Sequence, residues 1–236
     1  MKFVRYNSRV EAGGLVAEYI RLENERLYNF IFENNDNCFC FAIPNGGVPV
    51  TEGFCAYYNL NYDILIVRKI KIPYNTEAGF GSVTTDGTVL INKELISHLN
   101  LSERAVNDSI DLTKNEIRNR LKFYNKEYNL EEFYTQNIKQ KYNFILDDGL
   151  ASGFTMLAAI NMIKKYDPKK IIVAVPTAPL RTIKKVRPEV DEIFCPNIRE
   201  VMWFAVADAY QNWYDVPESE VLEIINKSNH YISRIK

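Results

Sequence analysis

Two adjacent carboxylates, Asp147 and Asp148, are the side chains best placed to do chemistry in this sequence. They close an apolar run, Phe144-Ile145-Leu146, and open a loop, Gly149-Leu150-Ala151-Ser152-Gly153. Phe154-Thr155-Met156-Leu157 then begins a helical pattern. That order predicts a buried parallel strand, a tight turn and a helix N-terminus. The first turn of a helix carries N–H groups without intrahelical partners, and its dipole favours an anion such as phosphate. Gly153 lets the backbone approach closely, and Ser152 and Thr155 add hydroxyls on the same rim. Each hydrogen bond to a charged oxygen contributes roughly 1.5–3 kcal/mol. The acids lie where a strand ends, the usual ligand position in an open α/β sheet. They suit vicinal hydroxyls, such as those of a ribose. No Gly-Lys-Ser/Thr follows, so this is not a Walker A loop, and Gly149 and Gly153 do not fit the dinucleotide fingerprint. The plain alternative is an ordinary strand-to-helix turn with a capping serine and solvated acids.

Two further sets of polar groups stand upstream. Pro44-Asn45-Gly46-Gly47 follows an apolar run, Cys38–Ile43, and precedes a helical stretch, Val48–Tyr58, in which Pro49 fits the first turn. This second strand–turn–helix unit offers a second set of backbone N–H groups to an anion. A third apolar run, Asp63 to Lys69, ends in Arg68-Lys69. Neighbouring strand residues point to opposite faces, so at most one of these cations points directly into a given pocket.

The elements that must position these groups read as alternating strands and helices from residue 38 to 195, which argues for a parallel, doubly wound sheet. Strands are expected at Cys38–Ile43, Asp63–Lys69, Phe144–Leu146, Ile171–Val175 and Glu192–Cys195, with a short basic helix over Leu180–Val186. Asp86-Gly87 between two extended runs predicts a hairpin, and Pro73, Gly79 and Gly81 suit a flexible flap. An amphipathic helix is expected from Ala12 to Phe30, with Leu15, Tyr19, Leu22 and Leu27 inward. A long helix is expected from Leu101 to Tyr128, capped by Ser102, with Glu116, Arg118, Arg120 and Lys122 on its solvated face. Glu131 to Lys141 reads as a polar connector. Aromatic residues crowd Val201–Val216, and Glu218–Asn226 reads as a covering helix.

Composition narrows the class. Of 236 residues, 47% are hydrophobic and 25% charged, an ordinary globular balance. The net charge of −1 provides no positive field to recruit nucleic acid. No apolar run approaches the roughly 20 residues of a membrane span, and the first residues lack the apolar core of a signal peptide. A cytoplasmic protein is expected. Cys38, Cys40, Cys55 and Cys195 form no C-x-x-C pair and read as buried thiols. His98 and His230 have no metal-ligand partners nearby in sequence, which argues against a zinc site or a Ser-His hydrolase.

The string Ile145-Leu-Asp-Asp-Gly-Leu-Ala-Ser-Gly-Phe-Thr155 resembles the phosphoribosyl-pyrophosphate motif of type I phosphoribosyltransferases. Phe41–Val50, Ile64–Lys69, Ala174–Pro179 and Asp191–Cys195 resemble, in the same order, a branch of that family whose acceptor is unknown. The resemblance implies one domain over 1–236, with a core at about 36–196, the N-terminal helix, a flap hairpin, added helices and an aromatic extension at 197–236. It implies transfer of the 5-phosphoribosyl group from phosphoribosyl pyrophosphate (PRPP) to a nitrogen acceptor, with Mg²⁺ carried mainly by the substrate and no direct protein ligand. By this likeness Asp147, Asp148, Arg68 and Lys69 are catalytic. Gly149, Leu150, Ala151, Ser152, Gly153, Phe154 and Thr155 bind the phosphoribosyl end, and Asn45, Gly46 and Gly47 the pyrophosphate. It also implies a small-molecule acceptor; members of the family often form homodimers, and the oligomeric state here stays open. Relatives carry a basic residue where Asn45 stands, which weakens support for a leaving pyrophosphate. Enzymes acting on 6-oxopurines usually carry an aspartate base where Ala151 stands, so that substrate class is disfavoured. The rivals are a regulatory protein that binds PRPP or a nucleotide without chemistry, and a phosphate-ester hydrolase.

Overall fold

The computed structural model describes residues 5–126 and 129–232, without the side chains of residues 76 and 77. Helices α1 (Arg9–Glu23) and α2 (Glu25–Glu33) lead into strand β1 (Cys38–Ala42) and helix α3 (Gly47–Tyr58). Next come β2 (Tyr62–Ile64), β3 (Val67–Ile72), β4 (Asn75–Thr84) and β5 (Val89–Ile91). Helices α4 (Lys93–His98), α5 (Glu103–Phe123) and α6 (Leu130–Ile138) follow, then β6 (Tyr142–Leu146) and α7 (Phe154–Lys164). The remainder holds β7 (Lys170–Ala174), β8 (Thr177–Pro179), α8 (Leu180–Val186), β9 (Glu192–Phe194), β10 (Asn197–Arg199) and α9 (Glu218–Lys227).

The central sheet has five parallel strands in the order β2-β1-β6-β7-β9. This is the doubly wound α/β arrangement expected from the strand–helix alternation. The order reverses between β1 and β6, so the loops after these two strands diverge there and leave the crevice in which such sheets bind ligands. Both faces are covered. Cys38, Cys40, Ala42, Phe144 and Leu146 pack with α1, α2 and α3, while Phe39, Phe41, Ile145 and Val173 pack with α6 and α7. That division follows from the two-residue period of a strand.

Several local expectations change. The helix expected over 12–30 is two helices, because Asn24 leaves helical geometry and its side chain caps α2 by accepting from Leu27 N. Leu15 and Leu22 face out, 46% and 70% exposed, and Ala12, Gly13, Val16, Ala17 and Ile20 are buried instead. The helices α1 and α3 touch at backbone level: a Cβ on Gly13 would stand 1.9 Å from Val50 O, and one on Gly53 2.0 Å from Val10 O. Leucine has no room at such a crossing.

The run from Asp63 to Lys69 breaks after Ile64. Arg68 and Lys69 belong to β3, in a separate antiparallel sheet β3-β4-β5. Thr85 fixes the break, its Oγ1 accepting from Ile66 N and donating to Ile66 O. The hairpin expected at Asp86-Gly87 is present, with Gly87 at φ +83°. Its turn is tied down rather than free: Lys165 Nζ lies 2.9 Å from Asp86 Oδ2. The sheet also buries Phe80 and Val83 in the core.

Helix α5 is capped by Ser102, as expected, but ends at Phe123 because Asn125 turns left-handed. Its expected last residue, Tyr128, lies outside the described residues. The supposed connector at 131–141 contains α6, which buries Phe133, Tyr134 and Ile138 beneath acidic neighbours. All four cysteines are free and buried. No helix among the described residues is long and apolar enough to cross a membrane.

Candidate active site

Asp147 and Asp148 follow β6 directly, at the reversal of strand order. Asp147 Oδ1 accepts from Asp148 N at 2.8 Å, which fixes the turn. Burial pushes both carboxyls above their ordinary range. For Asp147 the neighbouring Asp148 carboxylate adds to the push. For Asp148 the guanidinium of Arg9 opposes it.

The loop beyond the acids is held from behind. Gly149 is buried against Val206 and Thr177, and Leu150 N donates to Thr177 O at 2.9 Å. Thr182 Oγ1 donates to Ala151 O at 2.6 Å, and Lys185 Nζ to Ser152 O at 3.3 Å. Gly153 caps α7 in the left-handed region at φ +75°, where a Cβ would also meet Thr182 Cγ2 at 2.8 Å. With their carbonyls engaged, Ala151 and Ser152 remain exposed, as does Thr155 in the first turn of α7, with Phe154 half-buried between them. Ser152 Oγ accepts from Phe154 N at 3.3 Å, and the backbone follows the strand–turn–helix path expected here.

The second loop touches the first. A Cβ on Gly46 would stand 1.9 Å from Asp148 Oδ2, so only glycine lets the loop before α3 lie against the acid. Gly47 begins α3 beside Leu146 and Asp147. Asn45 Nδ2 donates to Val216 O at 2.7 Å, and its Oδ1 accepts from Arg120 Nη1 at 3.4 Å. Arg120 is ion-paired with Glu218. Arg68 lies near this cluster: burial and the charge of Arg120 hold its guanidinium below the usual range. Lys69 sits on the opposite, exposed face of β3, against Gly79. The structure therefore gathers Asp147, Asp148, Asn45, Gly46 and Gly47 at the switch point, brings Arg68 to their edge through Arg120, and turns Lys69 away from Arg68.

Two arginines and an aromatic strap shape the site in ways the sequence does not announce. Arg9 is 6% exposed; its Nε donates to Asp148 Oδ2 at 2.9 Å and its Nη2 to Tyr214 O at 2.9 Å. Its guanidinium lies 4.3 Å from the ring centroid of Trp213, with Tyr210 and Tyr214 on its other sides. Tyr210 OH donates to Asp148 O at 2.7 Å. The aromatic tail is thus a strap across the acid pair, held by the N-terminal segment through the Tyr6–Tyr210 bridge. Arg120 corrects its placement on a solvated face, since its side chain is only 16% exposed. The signal was present: Ile117, Arg120, Leu121 and Tyr124 share one helical stripe, as Arg9, Ala12, Gly13 and Val16 do.

No three His, Cys, Asp or Glu side chains converge on a metal position among the described residues. The acid pair is a set of hard oxygen donors with one member already held by Arg9. It fits a Mg²⁺ that arrives on substrate phosphates.

The phosphoribosyl transferase domain model matches residues 17–212. A Mycobacterium tuberculosis protein provisionally named a phosphoribosyl transferase is 25% identical over 192 residues, covering 80% of this chain and 41% of that protein. The chain thus spans about two fifths of that relative's length. A Ureaplasma parvum uracil phosphoribosyltransferase is 44% identical over 62 residues, 25% of this chain and 30% of its own. Among solved structures, TT1426 from Thermus thermophilus superposes with a TM-score of 0.72 at 21% identity, covering 94% of this chain and 97% of that one, a likeness of fold.

Proposed function

The chain belongs to the phosphoribosyl transferase domain family, and from that premise we propose that it transfers the 5-phosphoribosyl group of PRPP to a nitrogen acceptor. The observation that carries the proposal is the meeting of an acid pair, an anion-ready helix N-terminus and a glycine loop at the switch point of the sheet.

In this reading the 5-phosphate rests on the backbone and hydroxyls of Ala151–Thr155. Asp148, with Asp147 behind it, accepts from the ribose hydroxyls. Pyrophosphate lies along Asn45–Gly47 with Arg68 beside it, and Lys69 serves it only if β3 shifts. The acceptor nitrogen's lone pair forms the bond to ribose C1. The C1–O bond breaks, its electron pair leaves on pyrophosphate, and the displaced N–H proton passes to a base or water. Mg²⁺, held by substrate oxygens, would supply charge neutralisation to the leaving group. The chain's own contribution is positioning and electrostatic support. Ala151 offers no base, which disfavours 6-oxopurines; the Ureaplasma likeness makes uracil the first acceptor to try.

The test is calorimetric titration of PRPP with Mg²⁺ into wild type and Asp148→Asn, followed by pyrophosphate release across an acceptor panel. Binding lost in the variant, with release for one acceptor, is the expected result. A second reading, ligand binding without turnover, is favoured by the strap and by the Arg9–Asp148 pair, which occupies the acid. It predicts PRPP or nucleotide binding with no pyrophosphate released by any acceptor.

A further inference from the structure

We propose that Arg120 is the cation that receives the pyrophosphate end of the ligand, and that Glu218 is the counter-ion it exchanges for it. The inference rests on the phosphoribosyltransferase reading above. Asn45 leaves the loop before α3 without a charge of its own. The structure brings one from another element: Arg120 reaches over from α5, and its Nη1 lies 3.4 Å from Asn45 Oδ1. Asn45 is itself fixed through Nδ2 to Val216 O, so its amide oxygen is aimed at the guanidinium. An aspartate there would bind the arginine outright, and a lysine would repel it. A neutral acceptor orients Arg120 without neutralising it.

The surrounding charges favour an incoming anion. Arg68, Lys71 and Arg120 cluster about two carboxylates, Glu116 and Glu218. Glu116 is shared between Arg68 at 3.8 Å and Lys71 at 3.3 Å. Glu218 alone faces Arg120 among the ion pairs of the described residues. It stands half-buried in the first turn of α9, directly after the strap. A guanidinium carries five donors in a planar fork suited to phosphate oxygens, and a single, partly solvated carboxylate can be exchanged for a more highly charged group. Arriving pyrophosphate would take the Glu218 side of the fork while Asn45 keeps the other. Glu218 would turn to solvent, two residues beyond the carbonyl that Asn45 holds.

The test is titration of inorganic pyrophosphate with Mg²⁺, and separately of ribose 5-phosphate, into wild type, Arg120→Ala, Arg120→Lys and Glu218→Gln. Arg120→Ala is expected to weaken pyrophosphate roughly ten- to hundredfold while ribose 5-phosphate stays within about twofold. Arg120→Lys should recover part of that loss. Glu218→Gln removes the competing charge and should tighten pyrophosphate by a few-fold, an effect that loss of a merely structural ion pair would not produce. Unchanged pyrophosphate binding in Arg120→Ala, equal loss of both ligands, or weaker pyrophosphate binding in Glu218→Gln would overturn the inference. Wild type binding ribose 5-phosphate but not pyrophosphate would also overturn it, and would leave the phosphate-loop half of the functional reading standing. Wild type binding neither would bring down both.

Discussion

Arg9 and Asp148, 139 residues apart in sequence, form an ion pair at 2.9 Å with both side chains largely buried. Removing Arg9 leaves the Asp148 carboxylate buried beside Asp147 without its cation. Arg9→Ala is expected to cost about 2–4 kcal/mol in urea denaturation. Asp148→Asn in the Arg9→Ala background should cost less than in wild type, with a coupling of at least about 1 kcal/mol. Strictly additive costs would show that the pair contributes nothing beyond its separate groups.

Asp147 sets a pH dependence. Its native pKa is raised above the ordinary carboxylate value, chiefly by burial and next by Asp148. The folded state therefore holds this proton more tightly than the unfolded chain. The stability it contributes is present at low pH and declines as pH rises through the ordinary carboxylate range towards the native value. Asp147→Asn keeps the oxygen that accepts from Asp148 N and removes the charge. It should raise Tm at pH 7, by roughly 2–4 °C for each kcal/mol relieved. The gain should vanish near pH 4. A variant less stable than wild type at pH 7 would contradict this.

Gly46 is a steric prediction. Its Cβ would stand 1.9 Å from Asp148 Oδ2, and the acid cannot retreat without breaking its pair with Arg9. Gly46→Ala should destabilise by about 1–3 kcal/mol. It should also abolish PRPP binding. Gly153→Ala should cost about 1–2 kcal/mol from its left-handed backbone, plus whatever Thr182 Cγ2, 2.8 Å from the added Cβ, must give. Calorimetry on both variants checks these costs and the loss of PRPP binding in Gly46→Ala.

Lys126 and Asp63 form an ion pair buried on both sides, and Lys126 Nζ also donates to Ile64 O at 2.9 Å. The pair ties the end of α5 to the edge strand β2. Burial pulls the Lys126 ammonium below its usual range. Lys126→Met removes the cation paired with buried Asp63 and should cost about 3–5 kcal/mol, whereas Lys126→Met with Asp63→Leu should cost less. Chemical denaturation of the three proteins checks the order.

What the sequence makes legible is local. The units at 38–58 and 143–164 carry their strands, turns and helix starts within about 20 residues, and the structure reproduces both. The acid pair and Gly153 are visible because a helix N-terminus needs only adjacent residues to form. Arg9 and Arg120 are hidden because an arginine on a mixed helix reads as solvated until its partner is known. Leu15 and Leu22 mislead because hydropathy ranks them above Gly13 and Ala17, and only the backbone contact with α3 reverses that order. Phe133 and Tyr134 are hidden among acidic neighbours, where composition outweighs period.

The strap has a consequence for synthesis. Arg9 donates to the carbonyl of Tyr214, 205 residues later, and Tyr6 pairs with Tyr210. A chain made from its N-terminus completes β6, the acid loop and α7 some 45 residues before Tyr210 is added, as counted from Lys164. Until Tyr210, Trp213 and Tyr214 are added, Arg9 has no aromatic cage. The acid loop is made early and covered late, when the two remote segments meet.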